Sequence, residues 1–340
     1  MVKYSIIIPV RAINDFVKEN IYHLEKMNYQ NFEVLILVDF ENETYDFEED
    51  NRFKIIYVPG SKGPGEKRNV GAQNSTGEIL AFLDDDAYPA EDWLVKADEI
   101  FADPDIYALG GPAVTPLDAE FLERMSGRVL ESYLSSAGFT YRHIPSPRRS
   151  INDYPTVNLF VRKKAFFEVG GFLIDFWPGE DTKLCLDLVK KYQRDFIYDP
   201  KPVVYHHRRN LFRPHLKQIS RYGQHRGQFA RIFPETSRLP SYFVPSLFVA
   251  GLILGPAVCS AIPQLRPIYV FTVNLYIILL TLEFIKVTIK ERSLDAGIHV
   301  VEGIFLTHIV YGINFVIGFI KKPKLKLKAV DQITGNYSEG

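Results

Sequence analysis

Residues 78–89 read Glu78-Ile79-Leu80-Ala81-Phe82-Leu83-Asp84-Asp85-Asp86-Ala87-Tyr88-Pro89. A short apolar run, Ile79–Leu83, breaks off into three consecutive carboxylates. Such a run reads as a buried strand, and its acidic end falls where open α/β sheets bind ligands, beyond the carboxyl ends of the strands. Side chains alternate along a strand. Continued extension therefore sends Asp84 and Asp86 to one side and Asp85 to the other. Neighbouring carboxylates repel unless a cation lies between them. Hard oxygen donors suit Mg²⁺ or Mn²⁺, and these ions favour diphosphate oxygens. The simpler alternative is a solvated acidic turn before Pro89.

Working outward, residues 6–10, 32–39, 54–58 and 108–114 read as further strands, with helices over 15–28, 66–75 and 91–101. The strand over 32–39 also ends in a carboxylate, Asp39. A glycine-rich loop, 60–65, precedes the helix that carries Lys67 and Arg68. Lys67 reads as a solvated lysine at a helix start, with contact to phosphate or base as the alternative. Strands alternating with helices predict a parallel sheet covered on both faces. Farther along, 157–161 reads as a strand, 164–169 as a short helix stopped by Gly170-Gly171, and 182–191 as a helix opened by Glu180-Asp181. Short strands follow at 196–198 and 202–205, the second closed by His206. The basic, proline-bearing stretch 141–150 reads as a mobile loop.

The 340 residues are enough for two structural units, and a net charge of −1 gives no reason to expect a nucleic-acid partner. Two cysteines, Cys185 and Cys259, do not make a disulfide framework. The chain starts directly on a strand with no secretory signal, so the N-terminal domain is expected to stay in the cytoplasm. Three long apolar stretches occupy 243–262, 268–285 and 303–320. A bilayer core of about 30 Å needs about 20 helical residues, so each is long enough, or nearly so, to span it. No Asp or Glu occurs from 200 to 234, while Arg208, Arg209, Arg213, Lys217, Arg221, Arg226 and Arg231 do. A basic run beside apolar stretches suits anionic lipid headgroups. The expected division is a soluble domain over 1–232, a membrane-associated helical region over 233–328 and a disordered tail over 329–340.

An ordered series of motifs resembles the family 2 glycosyltransferases. It comprises Pro9-Val10-Arg11, the strand ending at Asp39, Gly63-Pro64-Gly65-Glu66-Lys67-Arg68-Asn69-Val70-Gly71, Thr76-Gly77-Glu78, and Phe82 to Asp86. Val157-Asn158-Leu159, Gly170-Gly171-Phe172 and Gly179-Glu180-Asp181 resemble the acceptor half of the same family. The resemblance covers about residues 4 to 232. It implies an α/β fold with a Rossmann-like nucleotide-sugar-binding sheet, the A-type glycosyltransferase fold, followed by C-terminal membrane helices. It also implies inverting transfer of a sugar from a nucleotide donor. Phe40 departs from the pattern, which usually has a second aspartate after Asp39.

The resemblance implies roles for particular residues. Asp84 and Asp86 hold the metal, with Asp84 also meeting the ribose or sugar and Asp85 sharing either task. His206 is a further metal ligand and fits that position better than His207; the ion is Mn²⁺ or Mg²⁺. Pro9, Arg11, Asp39 and Arg68 line the donor site, with Asp39 reading the base. Asp181 is the general base that deprotonates the acceptor; capping of the helix it opens is the alternative. Glu180 hydrogen-bonds acceptor or donor, and Trp177 stacks on a sugar or packs in the core. Gln218-Ile219-Ser220-Arg221-Tyr222 resembles the Gln-x-x-Arg-Trp motif of membrane-bound polysaccharide synthases, with Tyr in place of Trp. Arg221 then meets the diphosphate, and Gln218 and Tyr222 meet the acceptor.

The implied donor is a UDP-sugar, with a GDP-sugar the alternative. The implied acceptor is a hydroxyl on a lipid-linked or growing saccharide at the cytoplasmic membrane face, with a polyprenyl phosphate as runner-up. A hydroxyl needs a base such as Asp181, whereas a phosphate is already ionised. A nicotinamide dehydrogenase is disfavoured, because no Gly-x-Gly-x-x-Gly follows the first strand. Lys321, Lys322, Lys324, Lys326 and Lys328 follow the last apolar stretch and favour the cytoplasmic side. Three crossings would place them outside. The stretch 243–262, interrupted by Pro245 and Pro256, is therefore expected to bend back rather than cross.

Overall fold

The computed structural model describes residues 2–41, 44–45, 47, 50–60, 63–175, 178–321, 328–330 and 337–339. Along the chain run β1 (Tyr4–Pro9), α1 (Asp15–Glu25), β2 (Phe32–Val38), β3 (Phe53–Tyr57), α2 (Pro64–Asn74), β4 (Ile79–Leu83), β5 (Ala87–Pro89), α3 (Trp93–Phe101), β6 (Ala108–Gly110) and β7 (Ala113–Val114). There follow α4 (Phe121–Glu131), α5 (Tyr133–Ser136), β8 (Arg149–Ile151), β9 (Asn158–Arg162), α6 (Lys163–Glu168), α7 (Glu180–Tyr192), β10 (Phe196–Tyr198) and β11 (Val204–His206). Helices α8 (Arg213–Ile232), α9 (Pro234–Ser237), α10 (Pro240–Ala261), α11 (Arg266–Glu291) and α12 (Leu294–Ile320) come next, then the antiparallel pair β12 (Lys328–Val330) and β13 (Tyr337–Glu339).

Two compact units result. The first holds Met1–Val114, Ile144–His207 and Lys324–Gly340, the second Thr115–His143 and Arg208–Pro323. The units part at 207/208 rather than at the expected 232. The basic helix α8 and the stretch Thr115–His143 both fall with the apolar helices, because their buried sides pack on those helices.

In the first unit an eight-stranded sheet has the order β3-β2-β1-β4-β9-β6-β10-β8. Strands β1 to β4 pair in parallel; β1, β2 and β4 are buried throughout, while β3 at the sheet edge is partly exposed. The sheet is mixed rather than purely parallel, since β9 runs antiparallel to both β4 and β6, and β8 antiparallel to β10. The expected strand over 108–114 divides at Gly111-Pro112: β6 stays in the large sheet and β7 joins a small sheet of order β5-β11-β7. The stretch read as a mobile loop contributes β8 at the sheet edge.

Glu33 on β2 is a buried carboxylate held by the Ser5 hydroxyl at 2.6 Å, the Thr76 N–H at 2.5 Å, the Thr76 hydroxyl at 2.8 Å and Lys54 Nζ at 3.2 Å. Burial alone would raise its pKa. These donors outweigh burial and bring it from 4.5 down to about 2. Helix α2 approaches the sheet closely at Gly71, where an added Cβ would lie 2.7 Å from Ile7 Cγ2.

In the second unit, α10, α11 with its preceding 3₁₀ turn, and α12 are long and apolar enough to cross a membrane. Helix α10 continues through Pro245 and Pro256 as one helix. A separate core forms where Met125 and Val129 of α4 meet Leu211, Val287, Ala296, Val300 and Ile304.

Candidate active site

Strand β4 delivers the acidic triplet as the sequence suggests, but by a turn. The Ala87 N–H donates to the Asp84 carbonyl at 3.3 Å, and β5 departs into the small sheet. Asp84 and Asp86 still converge, while Asp85 accepts from Asn14 Nδ2 at 3.4 Å. Burial and then the charges of Asp86 and Asp84 push the Asp85 carboxyl up to about 6.

Strand β11 brings in the third member. Its antiparallel register on β5 sets His206 opposite Ala87, next to Asp86. His206 Nε2 lies 3.2 Å from Asp86 Oδ1. Ligand atoms of Asp84, Asp86 and His206 all fall within 4.8 Å of one another. His207 points elsewhere: its N–H donates to the Asp86 carbonyl at 2.9 Å and its ring meets Glu19 at 2.9 Å. Two carboxylates and one imidazole form a donor set that fits Mn²⁺, and Mg²⁺ less well.

Asn158, at the start of β9, holds the two sheets in register. Its side chain donates to the Pro112 carbonyl at 3.0 Å and the Pro202 carbonyl at 2.8 Å, and accepts from Trp93 Nε1 at 2.9 Å.

The first turn of α2 aims two cations at two strand ends. Lys67 Nζ lies 2.6 Å from Asp39 Oδ1 and 2.5 Å from the Val10 carbonyl. Lys67 is only 5 % exposed, which corrects its reading as a solvated lysine. Its signal was position: the first turn of a helix packed over β1 and β2 faces their carboxyl ends. Arg68, 3 % exposed, reaches Asp84 Oδ1 at 2.6 Å with one terminal nitrogen and Glu180 Oε1 at 3.1 Å with the other. Its guanidinium also lies 5.7 Å from the centre of the Phe172 ring. Pro9 is buried at the end of β1, and the exposed Arg11 lies 6.0 Å from the centre of the exposed Phe40 ring.

Gly179 starts α7 at φ 125°, a conformation L side chains rarely adopt, and so turns Glu180 and Asp181 onto the helix N-terminus. Glu180 is buried and takes the Gly179 N–H at 3.1 Å. Burial first, then the neighbouring Asp181, raise its pKa to about 7 against the pull of Arg68. Asp181 is half-buried and accepts from the Thr182 N–H at 2.7 Å, a contact of the capping kind. Trp177 lies outside the described residues. Gln218, Arg221 and Tyr222 lie on α8 in the second unit, where Gln218 Nε2 donates to the Tyr222 hydroxyl at 3.0 Å and both Arg221 and Tyr222 are exposed.

Residues 5–170 match the sequence model of "Glycosyl transferase family 2". The "Pre-mycofactocin glycosyltransferase" of Mycobacterium tuberculosis is 31% identical over 203 residues, 59% of this chain and 41% of that protein. "Glycosyltransferase AglE" of Haloferax volcanii is 30% identical over 152 residues, 44% of this chain and 46% of that protein. The "Glucosyl-dolichyl phosphate glucuronosyltransferase" of Haloferax volcanii is 24% identical over 201 residues, 55% of this chain and 63% of that protein. The chain thus spans less than two thirds of the length of each of these relatives. Among solved structures, the "Mannosyltransferase PcManGT from Pyrobaculum calidifontis in complex with GDP-Man and Mn2+" shares the fold. It aligns with a TM-score of 0.55 at 16% identity over 94% of this chain and 87% of that one. The domain that carries the acidic cluster belongs to glycosyltransferase family 2.

Proposed function

We propose that the chain is a membrane-anchored, metal-dependent, inverting glycosyltransferase. It moves a sugar from a nucleotide-sugar to a hydroxyl of a lipid-linked or growing saccharide. The observation that carries this reading is the Arg68 bridge. One guanidinium joins Asp84, in the candidate metal cluster, to Glu180, the immediate neighbour of the candidate base Asp181.

Asp84, Asp86 and His206 would hold a divalent cation, which when bound supplies charge neutralisation for the departing diphosphate. Asp181 takes the proton of the acceptor hydroxyl as its oxygen bonds to the anomeric carbon. The bond from that carbon to the diphosphate oxygen breaks, and its electron pair leaves with the nucleotide. Attack from the face opposite the leaving group inverts the anomeric centre. Asp39, held by Lys67, faces the base-reading task, with Arg11 and Phe40 beside it.

A GDP-sugar stands alongside a UDP-sugar as donor, because the Pyrobaculum structure holds GDP-Man and Mn²⁺. The Haloferax name specifies transfer onto a lipid-phosphate-linked glucose, which supports a saccharide hydroxyl as acceptor. Three apolar helices support membrane anchoring, with the catalytic domain on the cytoplasmic side where nucleotide-sugars are made. The test is donor hydrolysis in detergent across UDP- and GDP-sugars, with Mn²⁺ and with chelator. Hydrolysis that needs the ion and disappears in Asp86→Ala supports the reading; equal hydrolysis in both proteins rejects it.

A further inference from the structure

Length and composition allow α12 to cross a membrane, but its packing within the second unit argues otherwise. Helix α8 runs beside it, in the same direction, along most of its length. Leu211, just before α8, lies against Gly303; His215 Nε2 meets Thr307 Oγ1 at 3.0 Å. Farther along, Ser220 Oγ and Gln224 Nε2 donate to Asn314 Oδ1 at 2.9 and 2.7 Å. At the far end Arg231 donates to the Ile320 carbonyl at 3.1 Å and also to the Lys321 carbonyl. The match advances in step from Leu211 to Arg231 on one side and from Gly303 to Ile320 on the other. Glycines make the approach close: an added Cβ on Gly223 would lie 2.8 Å from the Tyr311 carbonyl oxygen, and Gly227 and Gly318 are equally confined by Phe315 and Gln224.

This pairing fixes α8 to the same orientation as α12. A helix of 20 residues is about 30 Å long, the thickness of a bilayer core. If α12 stood across the core, Arg213, Lys217, Arg221, Arg226 and Arg231 would be distributed through its whole depth. Arg213, Lys217 and Arg221 recur every fourth residue and are exposed. The stretch 200–234 contains no Asp or Glu to accompany them. Cations at membrane depth are rare and face paired or watery surroundings. In contrast, α12 also exposes Ile298, Phe305, Ile313, Val316, Phe319 and Ile320, which suit acyl chains.

We infer that α8 and α12 form a two-helix slab lying in the membrane plane, with the basic stripe of α8 among lipid headgroups and the apolar side of α12 in the acyl layer. Among the described residues the crossing helices are then α10 and α11. Both ends of α12 lie on the side where α8 lies. This moves the irregular segment from 243–262, where the prolines suggested it, to α12, and it removes the conflict with the lysine rule.

The inference rests on the membrane reading above, and one experiment separates the two. Asp295→Cys and Lys321→Cys, both at exposed positions at opposite ends of α12, are made singly in the full chain. Membranes are first washed with alkaline carbonate. Sealed inverted vesicles are then treated with a membrane-impermeant maleimide, beside the unaltered chain, whose two thiols are buried. Full labelling of both variants without detergent supports the slab. Retention in the membrane with Lys321→Cys labelled only after detergent overturns it, since α12 then crosses. Release of the chain by carbonate overturns the membrane reading and the slab together.

Discussion

Arg68 lies 2.6 Å from Asp84, and the two are 16 residues apart in sequence. The contact positions a carboxylate of the candidate metal cluster from α2. Arg68→Ala should therefore weaken Mn²⁺ binding by about 10- to 100-fold, as loss of a group that orients a ligand does. Arg68→Lys keeps the charge but offers no fork to join Asp84 and Glu180, so it should recover only part of the loss. Titration with Mn²⁺ by isothermal calorimetry checks both. Unchanged affinity in Arg68→Ala would remove the bridge from the proposal.

Asp181→Asn separates base from metal site. Transfer to a hydroxyl acceptor should fall by about 10²- to 10⁴-fold, the usual contribution of a general base. Mn²⁺ affinity should stay as it is. Transfer is measured with labelled donor and a lipid-linked saccharide. Near-full transfer would overturn the hydroxyl-acceptor account and leave the metal account standing.

Glu180 and Asp85 are two site carboxyls raised toward neutrality, Glu180 the farther of the two. Burial and the neighbouring Asp181 raise the Glu180 pKa to about 7, so its carboxyl gains charge beside Arg68 as the pH rises through that value. The pH profile of donor hydrolysis should therefore bend near pH 7 in the native protein, and the bend should vanish in Glu180→Gln. A profile of the same shape in both would show that this titration does not reach the site.

Glu33 makes a prediction about stability alone. Its folded-state pKa is depressed from 4.5 to about 2, so its contribution is present above pH 4.5 and is lost as the pH falls toward 2. A shift of that size corresponds to about 3 kcal/mol. Glu33→Gln should unfold more easily at pH 7, with most of the difference gone near pH 2. Urea unfolding at a series of pH values measures it.

The large sheet was legible because its strands are short apolar runs that end in Asp39 and in the Asp84 to Asp86 triplet. A change from apolar to acidic over one residue leaves few other readings. The direction of β9 was not legible, since an apolar strand buried on both faces looks the same in either sense. Strand partners and sheet order depend on contacts distant in sequence, such as the amide of Asn158 reaching Pro112 and Pro202. Lys67 was misread because charge suggests water, whereas the depth of its position follows from how closely Gly71 lets α2 lie on the sheet. His206 and Asp86 could be nominated singly. Their meeting needed the register of β11 on β5, which no local pattern encodes. The pairing of α8 with α12 was hidden for a similar reason: charge on one helix and hydropathy on the other were read apart, though the glycines on both were in view.

Asn158 has a last consequence. His206 lies on β11 and Asp86 just before β5, two strands of a small sheet that this amide fastens to the large one. Trimming it to Ala would leave two carbonyls and an indole unanswered. The grip on the ion should slacken well before the protein melts, so that an amide one strand away from the carboxylates governs how wide the claw opens.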